Sequence, residues 1–344
     1  MSFSIVPYDG ISPMRPWPSL GPSAFCLQDS TRPKETVFFY DSSPPNGGAP
    51  DVKPVFVLIH GLGDEADSWR HLIPLLNSRG YRTLAPDLPG FGRSVVAGNV
   101  SLKRYAGVVA RLIQAAVRPP PGQPGEGAAP SRPPVFLAGS SMGALVAQKA
   151  ALAMPGISQG MVLIGGSIPG GPKNPGPLAL AKILFNRKWY RVYRKSPDGL
   201  WASLYPYYAD LDALPAQDKE FLRQRIMARV ESPAQERAFF AIQRSVVRAY
   251  LTASFWFARR TRRSKEKILL LWGESDRIIP LSSAKAFKSL REGIALQTIP
   301  GAGHLPQQEN PAETGRLMLE FAAACHAAEG GRALPPLPIP RPCG

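Results

Sequence analysis

Ser141 stands in a pentapeptide whose residue types and spacing are suited to nucleophilic chemistry. Gly139-Ser140-Ser141-Met142-Gly143 has the form G-x-S-x-G, and it lies between an apolar run at residues 134–138 and a helix-like run. This arrangement predicts a sharp strand-to-helix turn that lifts the serine oxygen out of the sheet and leaves the Met142 N–H free to bind an oxyanion. The pattern alone is common, so its meaning depends on the rest of the chain.

Two later residues supply the groups that such a serine needs. A serine hydroxyl is a poor nucleophile at neutral pH and requires a base, an acid that orients the base, and donors for the oxyanion. Asp276 follows an apolar run at residues 267–272, and His304 follows another at 295–299. A serine on this kind of turn meets its partners in the chain order Ser, Asp or Glu, His. Each of the three residues alone is a weak indication, but their occurrence in this order strongly indicates a catalytic serine.

A second oxyanion donor is expected from the turn after the first buried strand. That turn reads His60-Gly61-Leu62-Gly63, where Gly61 allows the backbone to bend. The N–H of Leu62 can then point toward the N–H of Met142. The sequence therefore predicts Leu62 and Met142 as the two oxyanion donors.

Strands and helices alternate around these residues, which predicts a mostly parallel sheet covered by helices on both faces. Apolar runs such as residues 54–59 are typical of strands that are buried on both sides. The predicted strands occupy residues 24–27, 35–40, 54–59, 82–86, 135–138, 160–164, 267–272 and 295–299. The predicted helices occupy residues 68–79, 102–117, 142–154, 282–290 and 312–328.

The alternation stops near residue 166 and resumes near residue 266, which divides the chain. Residues 167–265 form a predicted helical insertion with 19 Lys or Arg and seven Asp or Glu residues, and it carries +12 of the net charge of +16. The complete division is an N-terminal extension with the first strands at 1–50, core segments at 51–166 and 266–330, the insertion, and a Pro-rich tail at 331–344.

Taken together, these motifs resemble the α/β-hydrolase superfamily, in the cap-bearing branch that includes esterases, lipases, haloperoxidases and carbon–carbon bond hydrolases. The resemblance implies an α/β-hydrolase fold, a doubly wound sheet whose insertion at 167–265 forms a helical cap over the site. It also implies Ser141 as the nucleophile, His304 as the base and Asp276 as the orienting acid. The matching pieces span roughly residues 53–325 and are His60-Gly-Leu-Gly63, residues 86–94, Gly139-Ser-Ser-Met-Gly143, Gly273-Glu-Ser-Asp276 and Gly303-His304.

Each of these residues also has a purely structural alternative. Ser141 could cap the helix that follows it, as serines often do. His304 could be an ordinary loop histidine, and Asp276 could cap a helix while Glu274 serves as the acid. His60 is expected to brace the oxyanion turn and to take no part in the reaction.

The chemistry expected of this arrangement is acyl transfer. Related epoxide hydrolases and haloalkane dehalogenases use aspartate at the position of Ser141, so the serine argues against both. We predict an enzyme, a carboxylesterase- or lipase-like serine hydrolase, that cleaves an ester of a moderately hydrophobic acyl group. A carbon–carbon bond hydrolase or a cofactor-free haloperoxidase is the alternative, and a membrane- or nucleic-acid-binding module that uses the basic cap is the non-enzymatic one.

Composition limits the remaining possibilities. Cys26, Cys325 and Cys343 are far apart and read as incidental thiols, and the four histidines leave little room for a metal site, so neither metal nor cofactor is expected. No run of 18 apolar residues and no signal-like N-terminus is found, which predicts a cytoplasmic protein. The expected partner is a small-molecule ester or lipid. Peripheral contact of the cap with an anionic membrane is left open, and nucleic acid is not expected.

Overall fold

A nine-stranded sheet forms the centre of the fold, in the strand order β1-β2-β3-β5-β4-β6-β7-β8-β9. The computed structural model describes residues 3–10, 12, 14–30, 32–42, 54–117, 133–166, 192, 195–252 and 254–328. Strands β1 to β3 pair antiparallel with one another, β3 pairs antiparallel with β5, and all later pairs are parallel. The strands are β1 (Phe3–Pro7), β2 (Ala24–Asp29), β3 (Thr36–Ser42), β4 (Val55–Ile59), β5 (Arg82–Pro86), β6 (Val135–Ser140), β7 (Gly160–Ile164), β8 (Lys267–Gly273) and β9 (Ile294–Ile299).

Ten α-helices are present in the described residues. Four of them lie in the insertion. The helices are α1 (Leu72–Ser78), α2 (Leu102–Ala116), α3 (Met142–Ala153), α4 (Pro197–Ala202), α5 (Ala216–Glu231), α6 (Pro233–Thr252), α7 (Ser254–Arg263), α8 (Leu281–Lys288), α9 (Pro306–Glu309) and α10 (Pro311–Ala327).

The central strands are buried on both faces, which explains their continuous apolar sequences. In β4, the side chains of Val55, Val57 and Ile59 enter one core cluster, whereas Phe56 and Leu58 enter a second cluster on the opposite face. Because successive side chains of a strand point to opposite faces, a strand covered on both sides needs apolar residues at every position. The predicted mostly parallel, doubly wound sheet is confirmed.

The structure corrects two of the predicted elements. The predicted helix at residues 68–79 is a short 3₁₀ turn at Ala66–Trp69 followed by the seven-residue helix α1, which Gly80 ends in a left-handed conformation (φ 86°). Strand β1 was not predicted; it is a five-residue edge strand, half exposed, that pairs only with β2. A strand with this little burial has no continuous apolar run to reveal it.

The insertion between β7 and β8 packs its own small apolar clusters against the core. Trp201, Tyr208 and Leu222 belong to one cluster, which Leu305 contacts from the core side. Phe240 belongs to another, together with apolar residues of α4 and α5. Several of the aromatic residues that mark this segment in the sequence are therefore interior residues of the insertion. Its predicted limits at 167 and 265, the Pro/Gly-rich loop at 118–134 and the tail at 331–344 fall wholly or partly outside the described residues.

Candidate active site

Ser141 occupies a strained turn between β6 and α3. Its φ of 53° and ψ of −113° make it the one non-glycine residue with positive φ in the described part of the chain. Such a conformation costs on the order of 1–3 kcal/mol and persists only where the surroundings enforce it. A side-chain carbon at Gly139 would collide with the backbone of Gly143, and one at Gly143 would collide with the carbonyl of Ile59. The turn can therefore close tightly only with glycine at both positions.

The backbone around Ser141 holds the turn while its side chain makes no helix cap. The Ser141 N–H donates to the carbonyl of Ile164 at 2.8 Å, and the Ser141 carbonyl accepts from the Ala144 N–H at 3.1 Å. No capping hydrogen bond comes from the Ser141 side chain in the described structure. The neighbouring Ser140 is fully buried, and its Oγ accepts from Nε2 of Gln307 at 3.1 Å. Ser140 thus faces the interior, as expected from its position one residue away.

Asp276 and His304 meet at the carboxyl ends of β8 and β9. Nδ1 of His304 lies 2.8 Å from Oδ2 of Asp276, and both side chains are almost completely buried. Oδ1 of Asp276 accepts from the N–H groups of Ile278 and Ile279 at 2.8 and 2.9 Å. One carboxylate oxygen therefore fixes the side chain of Asp276, and the other is left to orient the imidazole through its Nδ1.

Glu274, the alternative acid, does not face the histidine. Its Oε1 accepts from the hydroxyl of Thr298 at 2.9 Å on the exposed side of the sheet. The structure thus brings Asp276, and not Glu274, to His304.

A glycine pair after β7 sits between the serine and the histidine. A side-chain carbon at Gly165 would lie 3.1 Å from Nδ1 of His304, and one at Gly166 would overlap the backbone of Ser141. Consecutive residues of one short segment therefore touch both groups. A side chain at either position would therefore crowd His304 or the backbone of Ser141.

The turn after β4 approaches the serine from the other side. A side-chain carbon at Gly61 would lie 3.5 Å from Cβ of Ser141. Because α3 begins at Met142, the Met142 N–H has no carbonyl of its own helix to bind. Leu62 lies between Gly61 and Gly63, and Gly63 has a φ of 71°. The two predicted oxyanion donors thus belong to segments that touch at Ser141.

His60 uses both ring nitrogens to hold this turn. The N–H of Leu88 donates to Nε2 at 2.8 Å, and Nδ1 lies 2.8 Å from the carbonyl of Gly61. Since Nε2 accepts, the proton is on Nδ1, which donates to Gly61. His60 is fully buried, so it braces the turn as expected.

Buried charges surround this turn, and sequence reasoning found only part of them. The sequence predicts that Asp87 and Arg93 fix the Gly90–Gly92 turn, and Nε of Arg93 indeed lies 2.7 Å from Oδ2 of Asp87. The sequence does not reveal that Asp64 and Glu65, directly after the oxyanion turn, both pair with Arg229 of α5. These partners are about 165 positions apart, and no local pattern connects them.

The loop that carries His304 is also held by a residue that sequence reasoning missed. Oε2 of Glu309 accepts from the Gly303 N–H at 2.7 Å, and Oε1 accepts from the Ala209 N–H of the insertion at 2.6 Å. Burial raises the pKa of Glu309, although these backbone donors oppose the rise. Gly303 lies so close to the insertion that a side-chain carbon would stand 2.7 Å from N of Ala209.

No group of three or more His, Cys, Asp or Glu residues in the described part of the chain is arranged to hold a metal ion. Cys26 and Cys325 are both buried. Among the same residues, no helix combines the length and the apolar character needed to cross a bilayer.

Sequence comparison relates this chain to known hydrolases. It is 27% identical over 290 residues to the pimeloyl-[acyl-carrier protein] methyl ester esterase of Methylococcus capsulatus, an alignment that covers 81% of this chain and 97% of that protein. It is also 27% identical over 275 residues to a 2-hydroxy-6-oxo-6-phenylhexa-2,4-dienoate hydrolase of Burkholderia cepacia, covering 78% and 87% of the two chains.

Solved structures agree on the fold. A bacterial membrane phospholipase A superposes with a TM-score of 0.68 at 23% identity, over 88% of this chain and 86% of that one. The 2-hydroxy-6-oxo-6-phenylhexa-2,4-dienoate hydrolase of Rhodococcus sp. strain RHA1 superposes with a TM-score of 0.66 at 20% identity, over 84% and 95%. The profile of the alpha/beta hydrolase family matches residues 56–317. The sheet order, the serine turn and this match together show that the chain is an enzyme of the alpha/beta hydrolase family.

Proposed function

We propose that this protein is a serine hydrolase that cleaves a carboxylic ester of a moderately hydrophobic acyl group through an acyl-serine intermediate. The proposal is supported by the strained turn at Ser141, by the buried Asp276–His304 pair, and by the Gly165–Gly166 segment, which approaches both the histidine and the serine. A non-glycine residue that is held in a strained conformation with positive φ is typical of a functional site. The esterase among its relatives supports the same chemistry.

The geometry supports a two-stage reaction. As Oγ of Ser141 attacks the ester carbonyl, Nε2 of His304 takes the hydroxyl proton, and the N–H groups of Leu62 and Met142 stabilise the oxyanion. When the tetrahedral intermediate collapses, the protonated histidine gives its proton to the leaving alcohol, and the acyl group stays on Ser141. Water then attacks the acyl-serine with His304 again as the base, and this step releases the acid and restores the serine.

Asp276 has a positioning task in both stages. Its Oδ2 accepts from Nδ1–H of His304, which leaves Nε2 free to accept the proton. Because Oδ1 is already held by two backbone N–H groups, the carboxylate cannot rotate away. The acid therefore keeps the imidazole in one tautomer and one orientation.

Two aromatic side chains of the insertion lie near this centre and favour an apolar acyl pocket. The ring of Tyr207 lies 5.9 Å from the imidazole of His304, centroid to centroid. A side-chain carbon at Gly63 would lie 3.2 Å from the ring of Phe239, so Phe239 borders the oxyanion turn. Pockets for acyl groups are typically apolar with a few directed polar groups. The sequence of the insertion offers further apolar residues that could line such a pocket, namely Leu178, Leu180, Ile183 and Leu184, and these lie outside the described residues.

Turnover of p-nitrophenyl esters of increasing chain length tests the proposal. We expect Ser141-dependent hydrolysis with a preference for medium-length acyl chains, and covalent labelling of Ser141 by a fluorophosphonate. Equal rates for the wild type and Ser141→Ala would overturn the assignment of the nucleophile.

A carbon–carbon bond hydrolase is the second candidate, because three of the relatives are hydrolases of 2-hydroxy-6-oxo dienoates or dienedioates. The same serine, histidine and aspartate would serve a vinylogous diketone substrate. Comparing kcat/KM for such a diketone with that for the best ester decides between the two, and adding peroxide and halide tests the haloperoxidase alternative. An ester rate far below the diketone rate would replace our first proposal with the second.

We further propose that the insertion contacts anionic membrane surfaces. Arg237, Arg244 and Arg248 are exposed on α6 at seven- and four-residue spacing, so they share one helix face. On α7, Phe255 is 73% exposed and lies one turn before the exposed Arg259. Arginine binds phosphate groups in a bidentate manner, and an exposed aromatic ring suits the headgroup region.

Vesicle co-sedimentation tests this contact. We expect binding to phosphatidylglycerol vesicles that weakens with salt, is absent with phosphatidylcholine, and drops for Phe255→Ala and Arg259→Gln. Arg316→Gln is the matched control, because it removes the same charge from an exposed position on α10, outside the insertion. Equal binding to both vesicle types, or binding to duplex RNA in preference to vesicles, would contradict the proposal.

A further inference from the structure

Two acidic residues directly follow the turn that carries the predicted oxyanion donor Leu62. Asp64 and Glu65 come immediately after His60-Gly61-Leu62-Gly63, and Glu65 is only 1% exposed. The N–H of Glu65 donates to Oδ1 of Asp64 at 3.0 Å, which ties the two together. Buried carboxylates are costly unless cations and hydrogen bonds compensate them.

The main counter-charge comes from the insertion. Arg229 of α5 places Nη2 at 2.8 Å from Oε1 of Glu65 and at 3.0 Å from Oδ1 of Asp64, and its Nε at 2.9 Å from Oε2 of Glu65. One guanidinium thus bonds both oxygens of Glu65 and one oxygen of Asp64. The planar fork of arginine fixes direction as well as charge, which a lysine ammonium cannot do.

The electrostatics of the cluster depend on this contact. Burial alone would raise the pKa of Glu65, but the guanidinium groups of Arg229, Arg225 and Arg93, with Arg229 contributing most, together lower the pKa to about 2. Burial raises the pKa of Asp64, and Arg229 again opposes the rise. The nearest other guanidinium, that of Arg225, lies 4.0 Å from Glu65 and 3.0 Å from Asp67. Without Arg229, the buried carboxylate of Glu65 and the partly buried carboxylate of Asp64 would repel each other next to the oxyanion turn.

The opposite end of the turn is held by hydrogen bonds and close packing. His60 is fixed by Gly61 and Leu88, and Gly61 rests against Ser141. Since His60 anchors one side of Leu62 and the acid pair anchors the other, the position of the Leu62 N–H depends on both. An oxyanion donor that is misplaced by a fraction of an ångström loses much of its effect.

We propose that Arg229 is a positioning residue for the oxyanion site: the insertion holds Asp64 and Glu65, and thereby the Leu62 N–H, in the geometry that the tetrahedral intermediate needs. This inference rests on the proposed function, because it assigns a task to Leu62. It makes α5 of the insertion part of the catalytic framework, so that any opening of a cap would have to leave this helix in place.

The test uses the ester and the matching thionoester as a pair of substrates. Sulfur accepts hydrogen bonds poorly, so a well-formed oxyanion site favours the ester, and a misplaced donor reduces that preference. For Arg229→Gln we expect kcat for the ester to fall about tenfold or more, with KM changed much less, and the ester-to-thionoester ratio to fall with it. Arg229→Lys should recover part of both quantities.

Two further variants separate positioning from simple stability. Arg223→Gln is the matched control, because Arg223 lies on the same helix but is exposed and stacks on Trp201 inside the insertion. It should leave kcat and the ratio unchanged. Glu65→Gln keeps the size of the side chain but weakens the pairing, so it should lower the ratio less than Arg229→Gln does. All rates are counted per fluorophosphonate-labelled site, which removes any unfolded fraction.

The possible outcomes are distinct. If Arg229→Gln lowers the melting temperature but leaves kcat per site and the ratio unchanged, Arg229 is only structural and the inference is wrong. If Arg229→Gln does not fold, Glu65→Gln decides by the same ratio, and an unchanged ratio there also refutes the inference. A wild type without Ser141-dependent turnover would instead refute the proposed function, which is a different result.

Discussion

The N–H of His304 donates a 2.7 Å hydrogen bond to the carbonyl of Tyr207, across the boundary between the core and the insertion. The proposed base is therefore attached to the insertion through its own backbone. Glu309 strengthens the attachment, since its carboxylate accepts from Gly303 just before the histidine and from Ala209 just after Tyr207. The same side chain thus holds the histidine loop and the insertion together.

The first prediction concerns Glu309→Ala, which removes the acceptor for both N–H groups. We expect the free energy of unfolding to fall by about 1.5–3 kcal/mol, because hydrogen bonds to charged groups are worth that much. We also expect kcat to fall about tenfold, since the loop that places Nε2 of His304 loosens. Urea unfolding and ester kinetics measure the two effects. Glu313→Ala, which removes an exposed carboxylate of α10, should change kcat little, and an unaltered kcat in Glu309→Ala would show that the loop is held without it.

The second prediction concerns the orienting acid. Asp276→Asn keeps the shape of the side chain but can place an amide N–H toward Nδ1, which favours the wrong tautomer of His304. We expect kcat to fall by roughly 10³–10⁴-fold, as in other enzymes with this arrangement. Glu274→Gln is the control, because Glu274 bonds Thr298 away from the histidine. A larger loss in Glu274→Gln than in Asp276→Asn would exchange the roles of the two acids.

The third prediction tests the strain at Ser141. At a φ of 53° and ψ of −113°, glycine is accommodated with little steric penalty, whereas serine and alanine are not. We expect Ser141→Gly to be about 1 kcal/mol more stable than Ser141→Ala, with both variants inactive. Thermal or chemical unfolding of the two variants gives the comparison directly. Equal stabilities would mean that the turn carries no strain that matters.

The fourth prediction concerns acid stability. The pKa of Glu65 is about 2 in the folded protein, and its ordinary value is 4.5. The folded state therefore stabilises the ionised form of Glu65 relative to the unfolded state. A lowered folded-state pKa gives stability that is present above pH 4.5 and is lost as the pH falls toward 2. The size is about 3 kcal/mol at most for such a shift. Urea unfolding at several pH values should show a smaller loss toward low pH in Glu65→Gln than in the wild type, and parallel curves would contradict the assignment.

The pKa shift of Glu309 has the opposite sign, so it changes the pH dependence of stability in the opposite direction. Burial raises its folded-state pKa, so its contribution to stability is greatest below its ordinary pKa and falls as the pH rises through the raised value. Comparing the unfolding curves of Glu309→Gln and the wild type across the mildly acidic range should show this difference. A wild type that gains stability relative to the variant as the pH rises would reverse the sign and refute the prediction.

The amino-acid sequence by itself determined the sheet and the serine turn. Continuous apolar strands can be buried only between two layers of helices, and the two glycines around Ser141 are required wherever a strand turns this sharply into a helix. Asp276 and His304 were found because each directly follows a strand, and the carboxyl ends of parallel strands meet at one edge of the sheet. The choice of Asp276 over Glu274 needed the structure, because both acids follow the same strand. Only the backbone turn after that strand directs Asp276 to the imidazole.

Only the tertiary structure decided how the insertion takes part in the site. Arg229 and Glu65 are far apart in the chain, as are Glu309 and Ala209, and neither pair leaves a periodic pattern in the sequence. Charge pairing at long range depends on which surfaces the fold brings together, and a strongly basic segment contains many arginines that are equivalent until it is packed. The physical reason is packing. Helix α5 places Arg229 against the acidic residues that follow the oxyanion turn, whereas Arg223 on the same helix is exposed to solvent.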